Sequence, residues 1–198
     1  MAKLRVVTYN IHKGRSSLGF RESLNSLRPA LHGLHPDLVF LQEVQSRNES
    51  VFQFDAQHEA LAAALDLNMA YGCNAVRLRT DHGNAFLSRH VILSHENQDI
   101  SDHRLEQRGL LHTVIDVEGT HVHCFVVHLG LFAGGSLRQA QALAERVRAH
   151  VSDDAPVLVA GDFNDWGDKL TPFFTQSLGL SDVFGRTPRT FPALLPWF

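Results

Sequence analysis

Cysteine is nearly missing from this chain. Its two, Cys73 and Cys124, fall in strand-like surroundings without the spacing of a disulfide framework or a cysteine metal centre, so both are expected as reduced core residues. An excess of positive charge is missing too. Eighteen Lys and Arg face 21 Asp and Glu, a formal net charge of −3. That argues against strong sequence-independent binding to long nucleic acid, but not against a site that engages a short stretch of phosphate backbone. No apolar run reaches the roughly 18 residues of a membrane span. Residues 1–9 enter a strand at once, with no basic region followed by an apolar cleavage segment, so a cytoplasmic protein without a stable membrane span is expected. Repeats, low-complexity tracts and linkers are absent as well. The 198 residues, 44% hydrophobic, are therefore expected as one domain with a real core.

What is present alternates between strand and helix patterns. A strand at 3–9 precedes a helix near 21–34, where Leu24, Leu27, Leu31 and Leu34 keep helical spacing until Pro36-Asp37 breaks it. A strand at 38–42 and a helix at 55–66 follow, then strands near 69–76, 84–88 and 91–100. Residues 109–117 and 121–128 read as a hairpin turned by Glu118-Gly119. Residues 136–150 read as a helix, with Ser136 and Gln139 fitting a capping box and Ala140, Leu143, Ala144 and Val147 forming its apolar stripe. A strand at 156–160 closes the series. Hairpins mixed with helices point to an α+β domain. The 13 histidines are scattered; His32, His35, His58, His95, His103 and His150 are expected at or near the surface.

Chemistry collects where apolar strands end. The run Pro156-Val157-Leu158-Val159-Ala160 suits the middle of a covered sheet and leads into Gly161-Asp162-Phe163-Asn164. Gly161 is expected to turn the chain, and Asp162 and Asn164, two apart in an extended segment, would point the same way. The carboxylate can orient or deprotonate a water, and the amide can donate to an oxyanion. The plain alternative is an Asx-turn closing a strand. Asn10, Glu43 and His128 end three further strands, and four capable side chains at one kind of position outweigh a single coincidence. His12, just beyond Asn10, is a candidate substrate contact.

Taken in order, Thr8-Tyr9-Asn10-Ile11-His12, Leu41-Gln42-Glu43-Val44, Gly83-Asn84-Ala85-Phe86-Leu87-Ser88-Arg89, Val127-His128-Leu129 and Gly161-Asp162-Phe163-Asn164 form one pattern. It resembles the endonuclease/exonuclease/phosphatase (DNase I-like) superfamily from residue 3 to about residue 191, most of all its small stand-alone bacterial members. The resemblance implies a two-sheet β-sandwich flanked by helices and a Mg²⁺- or Mn²⁺-dependent hydrolase of phosphoric esters, most simply a phosphodiesterase. It makes Glu43 the principal metal ligand with Asn10 beside it, Asp162 the group that orients the attacking water, and Asn164 and His128 the stabilisers of the phosphoryl charge. Arg108 resembles a phosphate-contacting arginine. Asn84 is open between a substrate contact and a structural role. Arg89 is expected as an ion-pair partner, and Asp182 as a loop-fixing residue.

The pattern is incomplete at its end. Relatives close with a strand carrying Arg-x-Asp and then Ser-Asp-His, whereas this sequence stops at Pro192-Ala193-Leu194-Leu195-Pro196-Trp197-Phe198. Ser101-Asp102-His103 spells the motif, but mid-chain, and is expected as a chance triplet. The uncharged tail at 191–198 suggests a C-terminally truncated form with the last strands missing, impaired in turnover and open to self-association along the edge left behind. The substrate is open between nucleic acid, a phospholipid or sphingolipid headgroup and a small metabolite. The alternative is a module that binds phosphate or metal without catalysis.

Overall fold

In a computed structural model the described residues are 3–14, 24–47, 49, 56–103 and 106–185. The strands are β1 (Val6–Asn10), β2 (Leu38–Val44), β3 (Asn68–Val76), β4 (Asp81–Ser88), β5 (Val91–Asp99), β6 (Gly109–Val117), β7 (Thr120–His128) and β8 (Val157–Asp162). The helices are α1 (Leu24–Leu34), α2 (Gln57–Leu65), α3 (Ala133–His150) and α4 (Leu170–Leu178). Two mixed four-stranded sheets result, ordered β1-β2-β4-β3 and β5-β6-β7-β8. Only β1–β2 and β7–β8 are parallel pairs.

Strand β2 shows why the layers stack. Leu38, Val39, Phe40 and Leu41 are all fully buried, so both faces of this strand are covered. Alternation sends Val39 and Leu41 toward Leu24 and Leu31 of α1 and Leu61 of α2. It sends Leu38 and Phe40 toward Phe86, Leu111, Ile115 and Val126 between the sheets. Phe40 and Phe86 meet edge-on with ring centres 5.0 Å apart. On the far side, Phe125 and Val127 of β7 pack on Leu143 and Val147 of α3 and Phe174 of α4. The result is an α+β sandwich with helices on both outer faces.

Local chemistry sets several boundaries. Glu118 (φ 52°) and Gly119 (φ 84°) are both left-handed, making the expected two-residue hairpin turn between β6 and β7. Arg89 Nε pairs with Asp37 Oδ1 at 3.2 Å, the ion pair expected of it. Asp182 accepts the Phe184 amide at 2.8 Å and so closes its own loop.

Other expectations are corrected. Helix α3 begins at Ala133, three residues before the expected cap. Ser136 Oγ instead donates to the Ala133 carbonyl, and Gln139 Oε1 accepts the Gly130 amide at 2.7 Å. Strand β8 runs straight through Gly161 to Asp162, so no turn occurs there. Glycine is needed for a different reason: a Cβ would stand 1.9 Å from the Val127 carbonyl oxygen. Cys124 is buried as expected, but Cys73 is exposed. Leu34 ends its stripe half-exposed, and His58 is buried, stacked on Tyr71 at 4.3 Å. Helix α4 has no counterpart in the sequence reading, because Thr171, Pro172 and two phenylalanines mask its helical character. Pro172 is tolerated in the first turn, where an amide has no helical acceptor. The tail at 191–198 lies outside the described residues. No described helix is long and apolar enough to cross a membrane.

Candidate active site

Parallel pairing of β1 with β2 and of β7 with β8 delivers the strand-end groups at one edge of each sheet. The Asn10 amide then joins the two sheets. Its Nδ2 donates to Glu43 Oε1 and to Asp162 Oδ2, both at 3.1 Å, while its Oδ1 accepts the His12 amide at 3.0 Å. His128 faces Asp162 across the β7–β8 ladder, with Nε2 3.7 Å from Oδ2. Glu43 also has His12 Nδ1 at 3.8 Å and Lys13 Nζ at 3.6 Å.

Left-handed backbone concentrates here. His12 (φ 47°), Lys13 (φ 59°), Glu43 (φ 54°) and Asn164 (φ 48°) all carry side chains in a region that costs about 1–2 kcal/mol per residue. Such strain persists only where surrounding contacts over-determine it. At Glu43 the cause is a bulge: Leu41 pairs with Ala85 and Val44 with Gly83, so two residues of β2 oppose one of β4. At Lys13, Gln57 Nε2 holds the carbonyl at 2.8 Å. At Asn164, the backbone amide donates to Asp162 Oδ1 at 3.2 Å and Nδ2 donates to the Leu129 carbonyl at 2.8 Å. The Asx-turn is therefore real, and the extended 162–164 geometry is corrected. The turn still leaves one N–H of the Asn164 amide outside these two bonds.

Charge is arranged asymmetrically. Burial pushes the Glu43 carboxyl up, but the Asn10 hydrogen bond, His128, Lys13 and His12 outweigh it and hold the carboxyl below its ordinary value. Burial pushes the His128 imidazole down, Arg108 adds to this, and Asp162, Glu43 and Glu106 only partly offset it. At neutral pH the site therefore pairs ionised Glu43 with a neutral His128.

Arg108 borders this cluster. Its Nη2 donates to Glu106 Oε1 at 2.9 Å, and its buried Nε has no hydrogen-bond partner among the described residues. Asn84 is corrected: it is fully buried and donates to the Gly109 and Val126 carbonyls of the opposite sheet. A side chain closed off in this way ties the sheets together, the structural of its two expected roles. The mid-chain triplet is structural. Asp102 clamps Arg138 of α3, Ser101 Oγ accepts the Arg108 amide at 2.9 Å, and His103 stands 3.8 Å from Glu106. Lys13 and Glu106 were missed in the sequence, where nothing separates them from ordinary surface charges.

Among the described residues no group of three or more His, Cys, Asp and Glu side chains converges as a metal cage. Two carboxylates do converge on one amide, with an ammonium already resting near Glu43. That donor set fits Mg²⁺ or Mn²⁺, which keep several waters and take one or two carboxylates. It does not fit a closed tetrahedral nitrogen–sulfur site.

Comparison with known proteins places the fold. The uncharacterised protein YbhP of Escherichia coli K12 is 39% identical over 204 residues, covering 97% of this chain and 80% of that protein. The catalytic domain of human nocturnin, solved with a bound sulfate anion, superposes with a TM-score of 0.71 at 18% identity, over 93% of this chain and 75% of that one. An endonuclease/exonuclease/phosphatase from Beutenbergia cavernae gives 0.67 at 24% identity, over 81% of this chain but only 47% of that one. The endonuclease/exonuclease/phosphatase family description matches residues 7–198, and the chain belongs to that family.

Proposed function

We propose that this chain is a phosphoester hydrolase that uses a divalent cation to direct water onto a phosphodiester. The observation that carries this is the Asn10 amide, 3.1 Å from both Glu43 and Asp162, which draws carboxylates from two sheets to one point beside a neutral histidine. Glu43 is the main holder of Mg²⁺ or Mn²⁺, with Asn10 fixing its carboxylate. When bound, the cation neutralises the phosphate and polarises phosphorus toward attack. Asp162 accepts a hydrogen bond from the attacking water, or its proton. The second N–H of Asn164 donates to a non-bridging oxygen as charge builds there. Neutral His128 adds an N–H donor without competing for Glu43, and Arg108 and His12 contact the phosphate.

The sulfate bound by nocturnin supports an anion-accepting site on this fold. The acidic balance of the chain argues against long duplex DNA and leaves short nucleic acids, lipid headgroups and small metabolites as substrates. The test is hydrolysis of bis-p-nitrophenyl phosphate, oligonucleotide, phospholipid and inositol phosphates with Mg²⁺ or Mn²⁺. Glu43→Ala and Asp162→Asn are each expected to lose at least about 10²-fold in kcat/KM. Undiminished metal-dependent turnover in Glu43→Ala would overturn the assignment. Mn²⁺ binding without turnover in the unaltered chain would favour a phosphate- or metal-binding module.

A further inference from the structure

A groove of about 220 Å³ opens beside Glu43, and every side chain lining it is polar or charged. Four separate segments send basic groups into it: Lys13 from the left-handed turn after β1, Arg77 from the β3–β4 connection, His82 from β4 and Arg108 from the start of β6. We infer that this groove is a second anion subsite, which takes a phosphate joined through a few atoms to the one being hydrolysed. It rests on the function proposed above and narrows the substrate class to molecules carrying two neighbouring phosphates.

The carboxylates in the groove are already committed. Glu106 accepts Arg108 at 2.9 Å and the Leu131 amide at 3.3 Å, and Glu43 has Lys13 at 3.6 Å. Among the described residues the Arg77 guanidinium has no hydrogen bond or ion pair. The fields of Lys13, Arg77 and Arg108 converge on His82, whose imidazole is held down first by burial and then by these cations, with Glu43 opposing, so it stands in the groove as a neutral hydrogen-bonding group. Arg108 links the two regions, since its charge bears on His128 as well as on His82. The groove lacks an apolar wall on which a base could stack or an acyl chain could lie. It is also below the usual size of a site for a whole drug-sized ligand. A phosphate group fits both limits.

The test is calorimetric titration of the full chain, with and without Mn²⁺, using thymidine 5′-monophosphate, thymidine 3′,5′-bisphosphate and inositol 1,4-bisphosphate. At least one bisphosphate is expected to bind about tenfold more tightly than the monophosphate, the effect of one added charge-assisted contact. The tighter of the two names the source as nucleotide or polyol. Arg77→Ala should erase most of that advantage and Arg77→Lys should restore part of it. The advantage should also shrink as salt is raised, a measurement that needs no variant. Equal affinity for all three ligands, or an advantage unchanged in Arg77→Ala, would overturn the subsite. Absence of hydrolysis with the bisphosphate advantage intact would instead remove the hydrolase reading and leave the subsite standing.

Discussion

Asn10 is a neutral residue that keeps two carboxylates together. Each carboxylate accepts one N–H of its amide, which lowers the cost of bringing two negative groups close before any cation arrives. Replacing it with alanine should release Glu43 from its strongest stabiliser, so the Glu43 carboxyl should titrate at a higher pH than in the parent. Glu43 titrates below its ordinary 4.5 when folded, so its contribution to stability is present above 4.5 and lost as pH falls through the lowered value. Asn10→Ala should reduce that contribution and cost about 10–100-fold in metal affinity or turnover. Carboxyl NMR titration and Mn²⁺ calorimetry read both effects. An unmoved Glu43 titration would refute the clamp. The identity of these groups was legible because apolar runs end abruptly at Asn10, Glu43, His128 and Asp162. Their left-handed backbone was not, since the bulge at Glu43 exists only when β2 pairs with β4.

Among the elements, the outer face of the second sheet carries a histidine cluster that the active site does not use. His112 of β6 lies flat on Phe125 at 4.2 Å, shares a 2.9 Å hydrogen bond with His123 of β7, and accepts Arg146 Nε of α3 at 3.4 Å. Burial, followed by Arg146, His123 and His150, pushes the His112 imidazole down to about 4, against the pull of Glu96. The unfolded chain takes that proton near 6.5 and the folded chain only near 4. In between, the unfolded state holds more protons, so stability falls as pH drops through this window. The difference between these two values bounds the effect at about 3 kcal/mol. His112→Phe keeps the stack and removes the titration, so melting temperature against pH should flatten between 6.5 and 4. An unchanged slope would refute the role of His112. Strand and helix order was legible from alternation and helical spacing as far as β8, but not α4 beyond it. The true start of α3 was not, because Gln139 caps a loop amide rather than its own helix.

For the whole molecule, Asn84 is one of several polar ties between the sheets, alongside Asn10 and Asn97, and it is the fully buried one. Its amide reaches Gly109 and Val126 carbonyls of the other sheet and so holds the layers in register. Asn84→Ala should destabilise by about 2–3 kcal/mol, two buried hydrogen bonds lost. Its folded fraction should keep parental affinity for Mn²⁺ and phosphate. Denaturant midpoints and calorimetry separate these outcomes. Weaker ligand binding at full stability would return Asn84 to the substrate contacts.

The two sheets are also consecutive in the chain: β1–β4 build one and β5–β8 the other. Glu43 thus belongs to the first half and Asp162 to the second, and the bond from Asn10 crosses between them. Any ligand gripped jointly by both carboxylates acts as a rivet between halves that can each collect their own strands first. If each half collects its strands first in refolding, that grip forms only after docking, late on the pathway. A saturating ligand should therefore slow unfolding in stopped-flow experiments while leaving the refolding rate nearly untouched. A refolding rate that climbed with ligand concentration would mean that the halves meet before their sheets are complete.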